Sequence, residues 1–442
     1  MMPTPPNIVI FIADDLGYDD LSCYGSRLHS TPNIDALAAG GVRFTDCHSN
    51  GCMCSPSRAA LLTGRYQQRA GVEYVLGPDP EKWPGMDADE LTFAHVFRKA
   101  GYATGMFGKY HTGHIPYQSP NKMGFDVFRG QNGGMDHHSR FNRWGEGVWY
   151  HDETLVEDEE GYSTDLITDH ALSFIEANRD RPFLCYIADW MVHFPWQGPD
   201  DPVDFHKGED NSDPEKKYGS VADRKRAYRE MVEAMDRNVG RVVERLRNLG
   251  LAENTFFVFT SDNGGHALVC DNAPLNGAKG SMLEGGHRVP ALAYWPGAIE
   301  PGRTDVETVM LSDLFPTFLD IADLAPPADR PLDGTSLVPL LTRGEPLPER
   351  LLFWRQGEQF AVRDGPWKYV EHLDGKGLFN LGKDLAETSD MSEAFPERAD
   401  AMRHAFGEWC RHVDASFHAG RGAAPTAESY SHKVTNSFSQ RS

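Results

Sequence analysis

Two short acidic clusters and a lone cysteine carry the residue types from which chemistry could be built. The run Asn7–Asp14, NIVIFIAD, ends in the pair Asp14-Asp15, and the run Thr255–Thr260 ends in Ser261-Asp262-Asn263-Gly264-Gly265. Ligands of open α/β sheets collect at the carboxyl ends of strands, so adjacent carboxylates there suggest a hard cation. Taken alone, Asp14-Asp15 reads first as a turn or capping pair; the second cluster, with a further carboxylate and an amide oxygen at an equivalent edge, shifts the weight to a metal. Three carboxylates and one amide suit Ca²⁺ or Mg²⁺ better than zinc, with Ca²⁺ favoured. Between the clusters lies Cys52-Met53-Cys54-Ser55-Pro56-Ser57-Arg58. Pro56 suits a first helical turn, which sets Cys54 just before a helix N-terminus, where the dipole favours negative charge and would activate a nucleophile. The alternatives are a buried structural thiol or half of a zinc site, and the latter lacks a second Cys/His pair at suitable spacing.

The elements that must position these residues are legible as an alternation. Asn7–Asp14 is a continuous β-branched and aromatic run of the kind buried on both faces of a parallel sheet. Thr31 as cap and Pro32 at the first position open a helix that Gly40 closes. Then follow helix 91–99, strand 102–107, helix 163–178, strand 182–188, helix 221–248, strand 255–260, strand 289–294 and a helix capped by Ser312. Alternating strands and helices predict an α/β fold with a large, mostly parallel central sheet flanked by helices. After the Pro-rich stretch 325–350 the pattern changes to short strands at 351–354, 359–363, 367–371 and 378–381, separated by turns such as Asp364-Gly365 and Asp374-Gly375. This predicts a small antiparallel-sheet subdomain with a packed helix at 396–416. The expected division is 1–345, 346–418 and a polar tail at 419–442.

The chain has 442 residues, and 43 Lys plus Arg against 65 Asp plus Glu leave a formal charge of −22. With 40% hydrophobic residues it can fill a core, and its averaged field repels polyanions, which argues against nucleic acid and anionic membrane as partners. No run approaches the roughly 20 apolar residues of a membrane span. Residues 1–7 lack the features of a secretory signal, so the expectation is cytoplasmic for the chain as given, and periplasmic or secreted if a signal was trimmed. Seven cysteines are too sparse for a disulfide scaffold.

Cys54-Ser-Pro-Ser-Arg58 with Leu62-Thr63-Gly64-Arg65 resembles the signature of the type I sulfatases, in which the cysteine is oxidised to Cα-formylglycine. The same order continues with Asp14-Asp15, Gly108-Lys109-Tyr110-His111-Thr112-Gly113, Asp262-Asn263-Gly264, Gly277-Ala278-Lys279-Gly280, Glu284-Gly285-Gly286 and Arg288-Val289-Pro290. It extends through Ala361–Lys368 and Leu378–Leu381, covering residues 7 to about 390; Tyr110 and Thr112 depart from the family's GKWHLG. The resemblance implies an alkaline-phosphatase-like sandwich and hydrolysis of a sulfate monoester through a covalent formylglycine-sulfate intermediate. It further implies that Asp14, Asp15, Asp262, Asn263 and the modified residue 54 hold the cation, and that a formylglycine-generating enzyme is a maturation partner. Arg58 would sit beside the aldehyde hydrate, Lys109 and His111 would orient it and act as base, His193 would protonate the leaving group or bind sulfate, and Lys279 would pair with a sulfate oxygen.

The leaving-group side is expected to take a sulfated carbohydrate. Asp136, His137 and His138 lie where sulfatases place a substrate-facing loop; Trp196 and four further tryptophans, Trp144, Trp149, Trp190 and Trp354, offer flat faces, and Arg355 is a further candidate. The rivals are a phosphonate monoester or phosphodiester hydrolase using the same modification, and an inactive sulfated-glycan-binding protein. Oligomeric state is not legible.

Overall fold

The computed structural model describes residues 5–142, 146–203, 220–270, 272–373 and 375–418. The chain opens with β1 (Asn7–Ala13), α1 (Pro32–Gly40), β2 (Val42–His48), α2 (Cys54–Thr63) and α3 (Phe93–Lys99). It continues through β3 (Ala103–Lys109), β4 (Val127–Gln131), β5 (Trp149–His151), β6 (Thr154–Leu155), α4 (Ser163–Ala177), β7 (Phe183–Ala188) and α5 (Val221–Asn248). β8 (Thr255–Ser261), α6 (Glu284–His287), β9 (Arg288–Tyr294), β10 (Arg303–Asp305), β11 (Val309–Met310), α7 (Leu314–Ile321) and α8 (Val338–Arg343) complete the larger part. The smaller part is β12 (Leu351–Gln356), β13 (Gln359–Asp364), β14 (Trp367–His372), β15 (Gly375–Asn380) and α9 (Pro396–His418).

The first sheet has 11 strands in the order β10-β2-β9-β8-β1-β7-β3-β4-β5-β6, with β11 also on β2. Its centre is parallel: β1 pairs with β7 and β8, and β3 with β7 and β4. Strand side chains alternate between faces. Ile8, Ile10 and Ile12 therefore join one core under α2, α3 and α7, and Val9, Phe11 and Ala13 join another under α1, α4 and α5. Because Ile12 aligns with Ala188 and Ala13 with Ser261, the carboxyl ends of β1, β7 and β8 finish level. That shared edge delivers Asp14 and Asp262 to one place.

Several expected details differ. α3 starts at Phe93, two residues after Leu91, because Thr92 caps it, its hydroxyl accepting from the His95 N–H. Thr31 accepts from the Ser22 N–H at 2.9 Å instead of capping α1. Ser312 lies in a tight turn and accepts from Asn50 Nδ2 at 3.0 Å, so α7 begins after Asp313. The strands β2, β4, β5, β6, β10 and β11 were not expected. Most are short and take their extended form from neighbours, and β4 carries Gly130, whose position a side chain could not occupy: a Cβ there would lie 1.9 Å from the Gly108 carbonyl oxygen.

β12–β15 form the expected antiparallel sheet in sequential order, with Phe406 of α9 stacked on Phe360 at 3.9 Å between ring centroids. It is bonded to the larger part by buried charge: Lys368 Nζ lies 2.9 Å from Glu284, whose N–H donates to Glu387 at 2.6 Å, and Arg363 lies 3.0 Å from Asp46. The expected tail at 419–442, Trp144 and Asp374 lie outside the described residues. Among the described residues no helix is long and apolar enough to cross a membrane.

Candidate active site

Asp14, immediately beyond β1, is fully buried, and Asp15 follows with φ 63°, a left-handed conformation that is uncommon away from glycine. The turn sends the two carboxylates to different partners. Asp14 Oδ2 receives Lys109 Nζ at 2.5 Å and Arg58 Nη2 at 3.3 Å. Asp15 receives Lys279 Nζ at 2.6 Å and Asn263 Nδ2 at 2.8 Å, with His193 Nε2 at 3.7 Å. Asp262, beyond β8, takes Arg58 through Nε at 2.8 Å and Nη2 at 2.7 Å. A ligand atom each from Asp14, Cys54 and Asp262 lies within 4.8 Å of the others. The structure thus brings Asp14 and Asp262 to residue 54, with Asp15 joined to Asp262 through its N–H and to Asn263 through its carboxylate.

Cys54 is the first residue of α2, one position further into the helix than its spacing from Pro56 suggested. The expected activation of its thiol is also corrected: burial pushes the Cys54 thiol above its ordinary range, outweighing Lys109 and Lys279, so as a plain thiol it stays protonated. Arg58, one turn along α2, does not stand free for a substrate. Its guanidinium is spent on Asp262, Asp14 and the Lys109 carbonyl, the last at 2.8 Å. It is the clamp that lets two carboxylates approach.

Buried acceptors without partners mark where a cation fits. Asp14 Oδ1 and Asn263 Oδ1 are both buried and unpartnered; the Asn263 amide donates to Asp15 and to the Gly264 carbonyl, which turns its oxygen the other way. Burial and then the neighbouring charge of Asp14 push the Asp262 carboxyl up to about 6, a repulsion that a cation would relieve. Asp14, Asp15 and Asp262 are balanced by Arg58, Lys109 and Lys279, so a divalent ion would leave a net positive site for an anionic substrate. An all-oxygen set with two unclaimed acceptors is a fit for Ca²⁺ or Mg²⁺.

The remaining predicted residues converge on the same edge. Lys109 ends β3, and its ammonium stands 4.6 Å from the Trp190 ring centre. His111 has φ 53°, its N–H bonds Asn132 at 3.2 Å, and its Nε2 bonds the Leu76 carbonyl at 3.1 Å. A carbonyl only accepts, so Nε2 carries the hydrogen, and the buried, unpartnered Nδ1 carries a lone pair. Burial and the Lys109 charge hold this imidazole well below its ordinary range, hence neutral. His193 stacks on Trp190 at 4.2 Å, and its Nδ1 donates to the Phe194 carbonyl at 2.6 Å. Burial, then Lys279, push it down to about 3. Trp190, expected as a flat face for a sugar, is instead fully buried and serves as a platform for two site residues, while Asn132 is an orienting group that the motifs did not single out.

The sugar-facing candidates fare differently. Asp136 accepts from the His138 and Ser139 N–H groups at 2.9 Å and from Gln197 at 2.7 Å, a turn-forming carboxylate that is almost wholly buried. His137 is fully buried between Ser163 and the His193 carbonyl. Both hold the 132–138 loop against the His193 segment and offer nothing to solvent. His138 is half-buried, with Nε2 on the Gly198 carbonyl at 3.1 Å. Trp196 is buried edge-on against His266 at 5.4 Å. Arg355 is committed to bidentate pairs with Glu73 and Asp414, which tie β12 to α9, so the expectation of a substrate contact is corrected.

Comparison with known proteins agrees with this geometry. The profile of the sulfatase family matches residues 6–324, and that described as N-sulphoglucosamine sulphohydrolase, C-terminal, matches residues 278–397. N-acetylgalactosamine-6-sulfatase of Mus musculus is 33% identical over 90% of this chain and 84% of its own length. Arylsulfatase A of Homo sapiens is 35% identical over 84% and 76%. The crystal structure of Ps i-CgsB in complex with k-i-k-neocarrahexaose superposes with a TM-score of 0.84 at 29% identity, over 99% of this chain and 100% of that one. With the carboxylates, amide and cysteine of the family's motif assembled at one sheet edge, the chain belongs to the sulfatase family and is a sulfate ester hydrolase of alkaline-phosphatase-like fold.

Proposed function

We propose that this sulfatase releases inorganic sulfate from a sulfated carbohydrate, using Cys54 in its formylglycine form. The observation that carries this reading is the meeting of Asp14 and Asp262 with residue 54, beside two unclaimed buried oxygens, one from the Asp14 carboxylate and one from the Asn263 amide. Asp14, Asp15, Asp262 and Asn263 hold one divalent cation, Ca²⁺ in preference to Mg²⁺, which supplies positive charge against the sulfate oxygens. A formylglycine-generating enzyme is the maturation partner. As its hydrate, the modified residue would bond sulfur through one hydroxyl oxygen as the S–O bond to the sugar breaks and the sugar leaves as an alcohol; deprotonation of the second hydroxyl would then re-form the aldehyde and break the C–O bond to sulfate.

The surrounding side chains follow from their bonds. The lone pair on His111 Nδ1 suits it to accept a proton from the hydrate. His193 already donates from Nδ1, so any proton it delivers to the leaving oxygen must be carried on Nε2, the nitrogen facing Asp15. An arriving sulfate monoester places negative charge beside this imidazole and favours its protonation. Lys279, its side chain 10% exposed, is positioned to take a sulfate oxygen from Asp15. Support for a carbohydrate leaving group comes from the oligosaccharide-bound structural relative and from the names of the relatives. Sulfate release from a panel of defined sulfated mono- and oligosaccharides tests this, alongside paired aryl sulfate and phosphodiester esters sharing one leaving group. The reading predicts turnover of at least one sugar sulfate and faster cleavage of the sulfate ester; preference for the phosphodiester would favour the rival hydrolase.

A further inference from the structure

Where β5, β6 and α4 meet, a second group of metal-capable side chains takes no part in the site above. His151 ends β5, Glu159 lies in the connection to α4, and His170 stands midway along α4. His151 Nε2 lies 2.9 Å from Glu159 Oε2, and His170 Nε2 lies 2.7 Å from Glu159 Oε1. One ligand atom from each lies within 4.8 Å of the others, and the two imidazoles meet edge to face at 5.2 Å. Trp149 Nε1 donates to the same carboxylate at 2.5 Å, the outer hydrogen bond that orients metal-bound carboxylates. The three side chains are 32%, 21% and 22% exposed, enough for an ion to enter and to keep a water ligand.

The chemistry of this set is distinct from that at Asp14. Two imidazole nitrogens and one carboxylate with an open side form a zinc-type donor set. At bond lengths of about 2.1 Å, tetrahedral ligand atoms stand roughly 3.4 Å apart, so the present spacing needs only small side-chain movement. Arg129, whose charge reaches His170, is itself paired with Asp152 at 2.7 Å. A third cluster, His48, Glu284 and His287, shows the contrast: the Lys368 ammonium already fills it, 2.9 Å from Glu284 and 3.2 Å from His287.

We propose that His151, Glu159 and His170 bind one divalent transition cation of the zinc class, separate from the oxygen-ligand site, and that this ion pins the β5–β6 hairpin to α4. Neutral imidazoles bind through Nε2 with their hydrogens moved to Nδ1, so two hydrogen bonds to Glu159 give way to metal bonds. Since Trp149 of β5 aligns with Gln131, next to Asn132, the ion braces the strand pair behind His111.

The test uses the full chain in excess Ca²⁺, which occupies the oxygen site. Zn²⁺ is titrated by calorimetry, and Cu²⁺ is followed by electron paramagnetic resonance. His151→Gln and His170→Gln keep an amide donor for Glu159 while removing the imidazole ligand. The proposal expects one Zn²⁺ bound by the parent, affinity weakened at least about tenfold in each variant, and a Cu²⁺ spectrum showing coupling to two nitrogens. Zinc binding that is absent from the parent, or unchanged in both variants, overturns it, as does a Cu²⁺ spectrum without nitrogen coupling.

Discussion

At the scale of residues, function rests on how three buried carboxylates are shared among three cations. Arg58 is wholly committed to Asp14 and Asp262, whereas Lys279 meets Asp15 at the more open side. Their removal should therefore differ in kind. Loss of Arg58 leaves buried charge unpaired and costs stability, while loss of Lys279 would remove the donor proposed to meet a sulfate oxygen during sulfuryl transfer. Lys279→Ala is expected to retain the fold, judged by its unfolding transition, and to reduce kcat/KM on the order of 10²-fold, the cost typical of deleting one electrostatic donor. A change below about twofold would remove Lys279 from the machinery.

At the scale of elements, the parallel sheet places four strand ends together, and one of them carries a price in stability. Asp189, just beyond β7, is fully buried; it accepts from Thr164 Oγ1 at 2.6 Å and from the Met191 N–H at 3.3 Å, with no ion pair among the described residues. Burial pushes its carboxyl from the ordinary 3.8 up to about 7. The folded state thus holds a proton that the unfolded chain loses, and this stabilisation is complete below the ordinary value and lost as pH rises through 7. Asp189→Asn should raise Tm relative to the parent by a few degrees at pH 8 and by much less at pH 4.5. An equal difference at both values would contradict the assignment.

The same sheet explains what could be read in advance. β1, β7 and β8 announce themselves because a strand buried on both faces must be apolar throughout, and the acidic residues where that run breaks mark the ligand edge. β4, β5 and β6 carry little signal, being short and held by neighbouring hydrogen bonds, and so the His151 cluster beside them stayed hidden. Cys54, Lys109 and Asp262 stood out through motif order, whereas Trp190 supports Lys109 and His193 only through tertiary packing. Arg355 misled because a positive charge on a late strand looks available until Glu73 and Asp414 are seen to claim it.

At the scale of the whole molecule, the C-terminal sheet is a brace for the catalytic edge. Lys368 fixes Glu284 of α6, the Gly285 N–H of α6 donates to the Asn276 carbonyl at 2.7 Å, and Gly280 in the loop between them donates to the Cys52 carbonyl at 2.8 Å, two residues from Cys54. Gly264 lies so close to this segment that a Cβ would stand 1.8 Å from the Gly285 carbonyl oxygen. Residues 54–58 are all buried in the finished fold, so an enzyme that oxidises Cys54 would have to reach it before folding is complete. The decisive measurement is therefore mass analysis of the peptide spanning residue 54, from chain produced beside a formylglycine-generating enzyme, with sulfate release assayed on the same sample and on Cys54→Ala. An aldehyde at residue 54 that rises in step with turnover, and a folded but inactive Cys54→Ala, are the predicted results; full turnover from chain carrying only the thiol, or from Cys54→Ala, would contradict the account.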